Sequence, residues 1–136
     1  MDPKPIAAQS QITFFYYRNL EAAARFYEQT LRFELVEDQQ WAKIYRVAGR
    51  AFVGIVAGDK GFRRPQDYNA VLLTVLVNDV DIWYGYLQEQ GVKFLTEIQD
   101  KPEIQVRCFF IEDPGGYAVE IQEFLRPDLV KIFHTL

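Results

Sequence analysis

The chain has 136 residues, 49% of them hydrophobic and 15% aromatic, with a net charge of −4 and one cysteine. That length fits one domain with a real interior, and the acidic balance argues against nucleic acid as the main partner. A lone Cys108 excludes an internal disulfide, and no apolar run approaches the roughly 20 residues of a membrane span, so a soluble, cytoplasmic protein is expected.

Residues 1–10 are polar with two prolines and read as an extended arm. Residues 12–17 (Ile-Thr-Phe-Phe-Tyr-Tyr) predict a strand, and Asn19 is a suitable N-cap for a helix over 20–31. Ala23, Phe26, Tyr27 and Leu31 fall at helical spacing, so one side of that helix packs on the strands. Strands are predicted over 33–37, 41–47 and 51–57, then a polar loop over 58–69 that contains Arg63, Arg64 and Pro65. The pattern then restarts: a strand over 70–77, Asp79 as a cap, a helix over 80–90 closed by Gly91, and strands over 92–97, 104–111 and 117–124. Residues 126–133 add a short C-terminal helix.

The densest signal is Glu112-Asp113-Pro114-Gly115-Gly116, a turn between two strands, the second carrying Glu120 among apolar neighbours. Two readings of Glu120 stand at this point: a carboxylate held by a partner, metal or water inside the protein, or a solvated residue on an edge strand. His134, the only histidine, reads as a solvated tail residue, and Cys108 as an inert buried thiol.

The order is βαβββ written twice, with Asn19 and Asp79 as equivalent caps 60 positions apart. The expected fold is α+β, with a first module over 11–57, a linker loop over 58–69, a second module over 70–124 and a tail or short helix over 125–136. Halves that cannot cover their own apolar sheets should pair and share an interior.

In its strand–cap–helix stretch from Arg18-Asn19-Leu20-Glu21 to Phe26-Tyr27, in Val77-Asn78-Asp79-Val80-Asp81 and in Glu112-Asp113-Pro114-Gly115-Gly116 with Glu120, the chain resembles the vicinal oxygen chelate superfamily. That group includes glyoxalase I, extradiol dioxygenases and bleomycin-resistance proteins. The resemblance implies two βαβββ modules forming a glyoxalase-like open barrel around a cavity, and a homodimer. It also implies metal ligands at positions matching Ile12, Gly54, Leu72 and Glu120. Three of those four cannot ligate, so neither metal nor other cofactor is expected. Relatives usually place glycine just after the first helix; Arg32 stands there, so a left-handed backbone would cost about 1 kcal/mol.

Alternation puts Ile12, Phe14 and Tyr16 on one strand face and Leu72, Thr74 and Leu76 on another. If the family's ligand positions face the cavity, as the resemblance implies, these residues line it with Phe52, Gly54, Val56, Ala118, Glu120 and Gln122, and Trp41 and Tyr45 are added as candidate ligand contacts. The alternative is that these aromatics fill a solid core. The first functional reading is a protein that binds a small aromatic or apolar molecule. The second is a metal-independent lyase or isomerase with Glu120 as general base and Tyr16 or Arg107 near a developing oxyanion. The third is a metal enzyme with atypical ligands such as Asp59, Glu112 or His134.

Overall fold

A computed structural model describes residues 4–5 and 7–134. The first half comprises β1 (Gln11–Tyr17), helix α1 (Leu20–Arg25) continuing into a π-helical turn (Phe26–Thr30), β2 (Glu34–Asp38), β3 (Ala42–Ala48) and β4 (Ala51–Ala57). They form a sheet in the order β1-β4-β3-β2, parallel only where β1 meets β4. The second half comprises β5 (Leu72–Leu76), α2 (Val80–Glu89), β6 (Lys93–Phe94), β7 (Gln99–Lys101), β8 (Val106–Glu112) and β9 (Ala118–Phe124), followed by α3 (Pro127–Phe133). Its order, β5-β9-β8-β6, repeats the first, with β7 added against β8. The architecture is α+β, two open sheets each flanked by a helix. No helix among the described residues is long and apolar enough to cross a membrane.

Each sheet has an inner face under its helix and an open face. Phe15 and Tyr17 of β1, Tyr45 of β3, and Val53 and Ile55 of β4 pack with Ala23, Phe26, Tyr27 and Leu31. In the second half Val75, Phe109, Ile111, Val119 and Ile121 do the same with Val80 and Leu87. These residues form one continuous core across both halves. The helices start where the sequence says: Asn19 Oδ1 accepts the Ala22 N–H at 3.0 Å, and Asp79 Oδ1 accepts those of Asp81 and Ile82 at 3.0 and 3.1 Å.

The halves are locked by the hairpin turn. Asp113, only 4% exposed, accepts the Gly115 and Tyr117 N–H groups on Oδ1 at 2.8 and 2.9 Å. Its Oδ2 accepts the hydroxyls of Tyr17, in a very short contact, and Tyr27 at 2.8 Å. A turn residue of the second half thus satisfies two core phenols of the first. Burial first, then neighbouring phenol and carboxylate charge, pushes both tyrosines far above their usual range, so they remain donors. The Tyr117 ring stacks on Phe15 with centroids 4.6 Å apart, while its hydroxyl accepts the Tyr16 N–H at 3.0 Å. That contact covers a backbone group that β1, as an edge strand, leaves unpaired by β4. At Gly115 an added Cβ would lie 2.5 Å from the Tyr17 ring, which is itself pinned by Asp113. Gly115→Ala should therefore lower unfolding stability by about 2–3 kcal/mol, readable as a reduced denaturant midpoint with unchanged slope.

The two helices end differently. Gly91 takes φ 71° and closes α2 with the Val92 N–H on the Leu87 carbonyl at 3.4 Å. The first helix widens into its π turn, the Leu31 N–H reaching Phe26 at 2.9 Å, and Arg32 carries the left-handed step at φ 63°. Arg32→Gly should raise unfolding free energy by about 1 kcal/mol in chemical denaturation, because an exposed side chain loses little packing while backbone strain is relieved.

Two strand expectations need correction. The strand predicted over 92–97 pairs only at Lys93–Phe94, because the Leu95 and Thr96 N–H groups converge on one carbonyl, Phe110, and the chain turns away. The strand predicted from 104 begins at Val106, since Lys101 to Gln105 form a turn with Gln105 at φ 52°, which creates β7.

Candidate functional site

On the first sheet, the open face carries Ile12, Phe14 and Tyr16 from β1 beside Phe52, Gly54 and Val56 from β4. Ile44 of β3 is in register with Gly54, so the row continues across the sheet. Ile12 and Phe14 are 41% and 38% exposed, which is high for large apolar side chains on a central sheet. A hollow of about 480 Å³ opens here, walled by Ile12, Val36, Ile44 and Phe52 with Ser10 and Gln11 at its edge. Its walls are mostly apolar because β4 carries no polar side chain and the alternation of β1 turns Thr13 to the opposite face. The Arg46 guanidinium sits 5.0 Å from the Phe52 ring centroid.

Phe14 and Tyr16 do not line that hollow. The Phe14 ring lies over Gly54, within 2.4 Å of where a Cβ would be, so only glycine leaves it that position. Phe14 and Tyr16 instead face a second cleft of about 710 Å³ under the linker loop. The single cavity expected from the sequence is therefore divided.

The second sheet's open face is built differently. Glu120 on β9 is in register with Thr74 on β5 and Phe110 on β8, and is 6% exposed. Thr74 donates its hydroxyl to Oε1 at 2.8 Å, and Gln122 donates its amide to Oε2 at 3.0 Å. The buried Cys108 thiol stands next to Gln122 in register; burial first and then the nearby Glu120 carboxylate push it up to about 11. That thiol stays protonated near neutral pH and is not an activated nucleophile. Glu120 is thus a partnered carboxylate rather than an edge residue in solvent, and it lines none of the cavities named above. Leu72, 48% exposed, stands at the open end of the same row.

Several candidates lie elsewhere. Tyr45 is on the inner face, fully buried, stacked on Tyr27 and donating to Glu28 Oε2 at 2.7 Å; it is core, because β3 alternation opposes it to Val53. Trp41 precedes β3 on the alternation of Tyr45 and lines neither hollow. Arg107 is engaged by Asp81 at 2.6 Å and Asp100 at 2.8 Å, away from Glu120's face. His134 is not a solvated tail: its Nε2 accepts the Phe124 N–H at 3.3 Å and its ring meets Phe124 edge-on. The sequence reading missed Asp113 as a buried lock; of its two readings of the 58–69 loop, a cover over a cavity mouth or a solvated connector, the loop lies over a cleft.

Residues 9–121 match the family model described as Glyoxalase/Bleomycin resistance protein/Dioxygenase superfamily. The chain belongs to that superfamily. Among solved structures, a glyoxalase/bleomycin resistance protein/dioxygenase from Nocardioides superposes with a TM-score of 0.73 at 17% identity, covering 91% of this chain and 88% of its own. Lactoylglutathione lyase from Agrobacterium tumefaciens gives 0.70 at 22% identity, covering 88% and 96%. The uncharacterized protein YraH of Bacillus subtilis strain 168 is 27% identical over 111 residues, 82% of this chain and 86% of its own.

For a glyoxalase-superfamily metal, the donor set does not fit. Ile12 and Leu72 offer no ligand atom, Gly54 is covered by a phenyl ring, and Glu120 has both oxygens engaged by protein donors. The atypical candidates do not assemble either: Glu112 pairs with Lys93 at 2.6 Å and His134 caps β9. Among the described residues no three His, Cys, Asp or Glu side chains come together as a metal site would require.

Proposed function

We propose that this superfamily member binds a small apolar or aromatic molecule without a metal, and that the ligand sits in the hollow walled by Ile12, Val36, Ile44 and Phe52. The observation that carries the reading is the hollow itself: about 480 Å³, within the range of small-molecule sites, on the face where metal-dependent relatives hold their ions. Large apolar side chains left this exposed favour an occupant that removes them from water, at about 25 cal/mol per Å² covered. The competing assignment of Glu120 as a general base is less favoured, because Thr74 and Gln122 occupy both carboxylate oxygens.

The homodimer is a separate proposal: Leu72, half exposed on the open face of the second sheet and outside both hollows, suits coverage by a second copy. Light scattering should then give twice the chain mass. For the ligand, a thermal-shift series of neutral aromatic compounds, run with and without chelator, is the direct test. The reading expects stabilisation by several compounds, unchanged by chelator. Silence throughout, or stabilisation that disappears with chelator, would reject it.

A further inference from the structure

The linker loop does more than connect the halves. It is anchored at its start, with the Gly58 N–H on Tyr17's carbonyl at 2.9 Å and the Lys60 and Gly61 N–H groups on that of Ala57 at 3.0 and 3.3 Å. It then lies against the open face of the first sheet: a Cβ at Gly61 would come within 2.6 Å of Val56 and 2.7 Å of the Tyr16 ring. Beneath it is the cleft of about 710 Å³, which reaches from Phe14 and Tyr16 to Val71 at the entrance to β5.

The chemistry of this cleft differs from that of the first hollow. Arg63 and Arg64 both line it, Gln66 and Asn69 add amides, and no carboxylate is among its walls. Arg64 is held by Nη1 donating to the Gly61 carbonyl at 2.6 Å, and Arg63 lies 5.2 Å from the Phe62 ring centroid. Neither has a carboxylate within ion-pair distance among the described residues, whereas nearby Arg18 is paired with Asp67 at 3.3 Å. Two arginines thus line one cleft with no carboxylate among its walls, in a chain of net charge −4. Planar forked donors lining one cleft with Phe14 and Tyr16 match an anionic group attached to a flat apolar body.

We infer that the cleft under the 58–69 loop is a second binding site, selective for aromatic anions, in which Arg63 and Arg64 hold a carboxylate or phosphate while Phe14 and Tyr16 stack on the ring. The inference does not depend on what occupies the first hollow.

Titration of the nitrogen-15-labelled chain with 2-naphthoate, 2-naphthyl phosphate and neutral 2-naphthalenemethanol separates the possibilities. At least one of the two anions should shift amides of residues 58–71, with affinity that falls as salt is raised. The anion that binds better identifies the acid group. Arg63→Ala with Arg64→Ala should weaken it about tenfold or more, and replacing both by lysine should retain part of the binding. Arg63→Glu leaves every loop hydrogen bond in place and should weaken it as well, which separates lost charge from a loosened loop. Equal affinity for the neutral compound at these amides, or for wild type and Arg63→Glu, would overturn the assignment. Anion-induced shifts confined to Ile12, Ile44 and Phe52 would overturn it too, while leaving the first hollow supported.

Discussion

Asp113→Ala should cost about 3 kcal/mol or more of unfolding free energy, a large share of what a domain of this size has. The substitution removes the acceptor of four donors at once, the hydroxyls of Tyr17 and Tyr27 and the N–H groups of Gly115 and Tyr117, and leaves the two phenols only each other. It also removes the side chain that ties the second half's turn to the first half's core. Asp113→Asn should be milder, about 1–2 kcal/mol, because an amide oxygen still accepts both N–H groups. Burial, outweighing the four hydrogen bonds, holds the Asp113 carboxyl above the ordinary aspartate value. The folded state therefore binds that proton more tightly than the unfolded state, so this group's contribution weakens as pH rises from the ordinary aspartate value through the folded one. The advantage of wild type over Asp113→Asn should accordingly be greater in mild acid than at neutral pH. Paired urea denaturations at the two pH values check both the magnitude and the sign, and a larger advantage at neutral pH would contradict the account.

The second large effect concerns binding. Ile44→Asp places a charge in the middle of the first hollow, facing Ile12, Val36 and Phe52. The lost apolar coverage of one isoleucine is worth about 2–3 kcal/mol, so affinity for a neutral aromatic ligand should fall roughly 30- to 150-fold. Stability should change less, because Ile44 is only half-buried on a face already open to water. Isothermal titration of the variant beside the wild type reads the first quantity, and its denaturant midpoint the second. Glu120→Gln, by contrast, should leave that affinity nearly unchanged, since Glu120 lines no part of the hollow.

Much of this was legible in the residues, for identifiable reasons. Asn19 and Asp79 mark helix starts because their short side chains cap backbone N–H groups whatever the tertiary setting, and Gly91 marks an end for a similarly local reason. Alternation placed Ile12, Phe14 and Tyr16 on one face of β1, which the burial of Phe15 and Tyr17 confirms. Alternation alone does not say which face is open, and that is how Tyr45 entered the candidate set while belonging to the core. Asp113 read as a turn residue because Asp-Pro-Gly-Gly explains itself locally; its two phenol partners lie 96 and 86 positions away in sequence. The division of the cavity was hidden for the same reason. It depends on the Phe14 ring covering Gly54 from a neighbouring strand, and on a loop folding back onto Tyr16. Lys101-Pro102-Glu103 did carry a turn signal, and reading it would have revealed β7.

The belonging of this chain to the glyoxalase superfamily establishes a scaffold on which both metal-dependent catalysis and plain binding can be built. What distinguishes the outcomes is the face rather than the fold. Here the positions for ligating atoms hold aliphatic groups or a covered glycine, and the remaining carboxylate is satisfied by its own sheet. A nitrogen-15 titration with 2-naphthalenemethanol, performed in chelator, tests that conclusion most directly. Saturable shifts centred on the amides of Ile12, Ile44 and Phe52 are the predicted result. Shifts centred on Glu120 that arise only when a divalent cation is restored would contradict it.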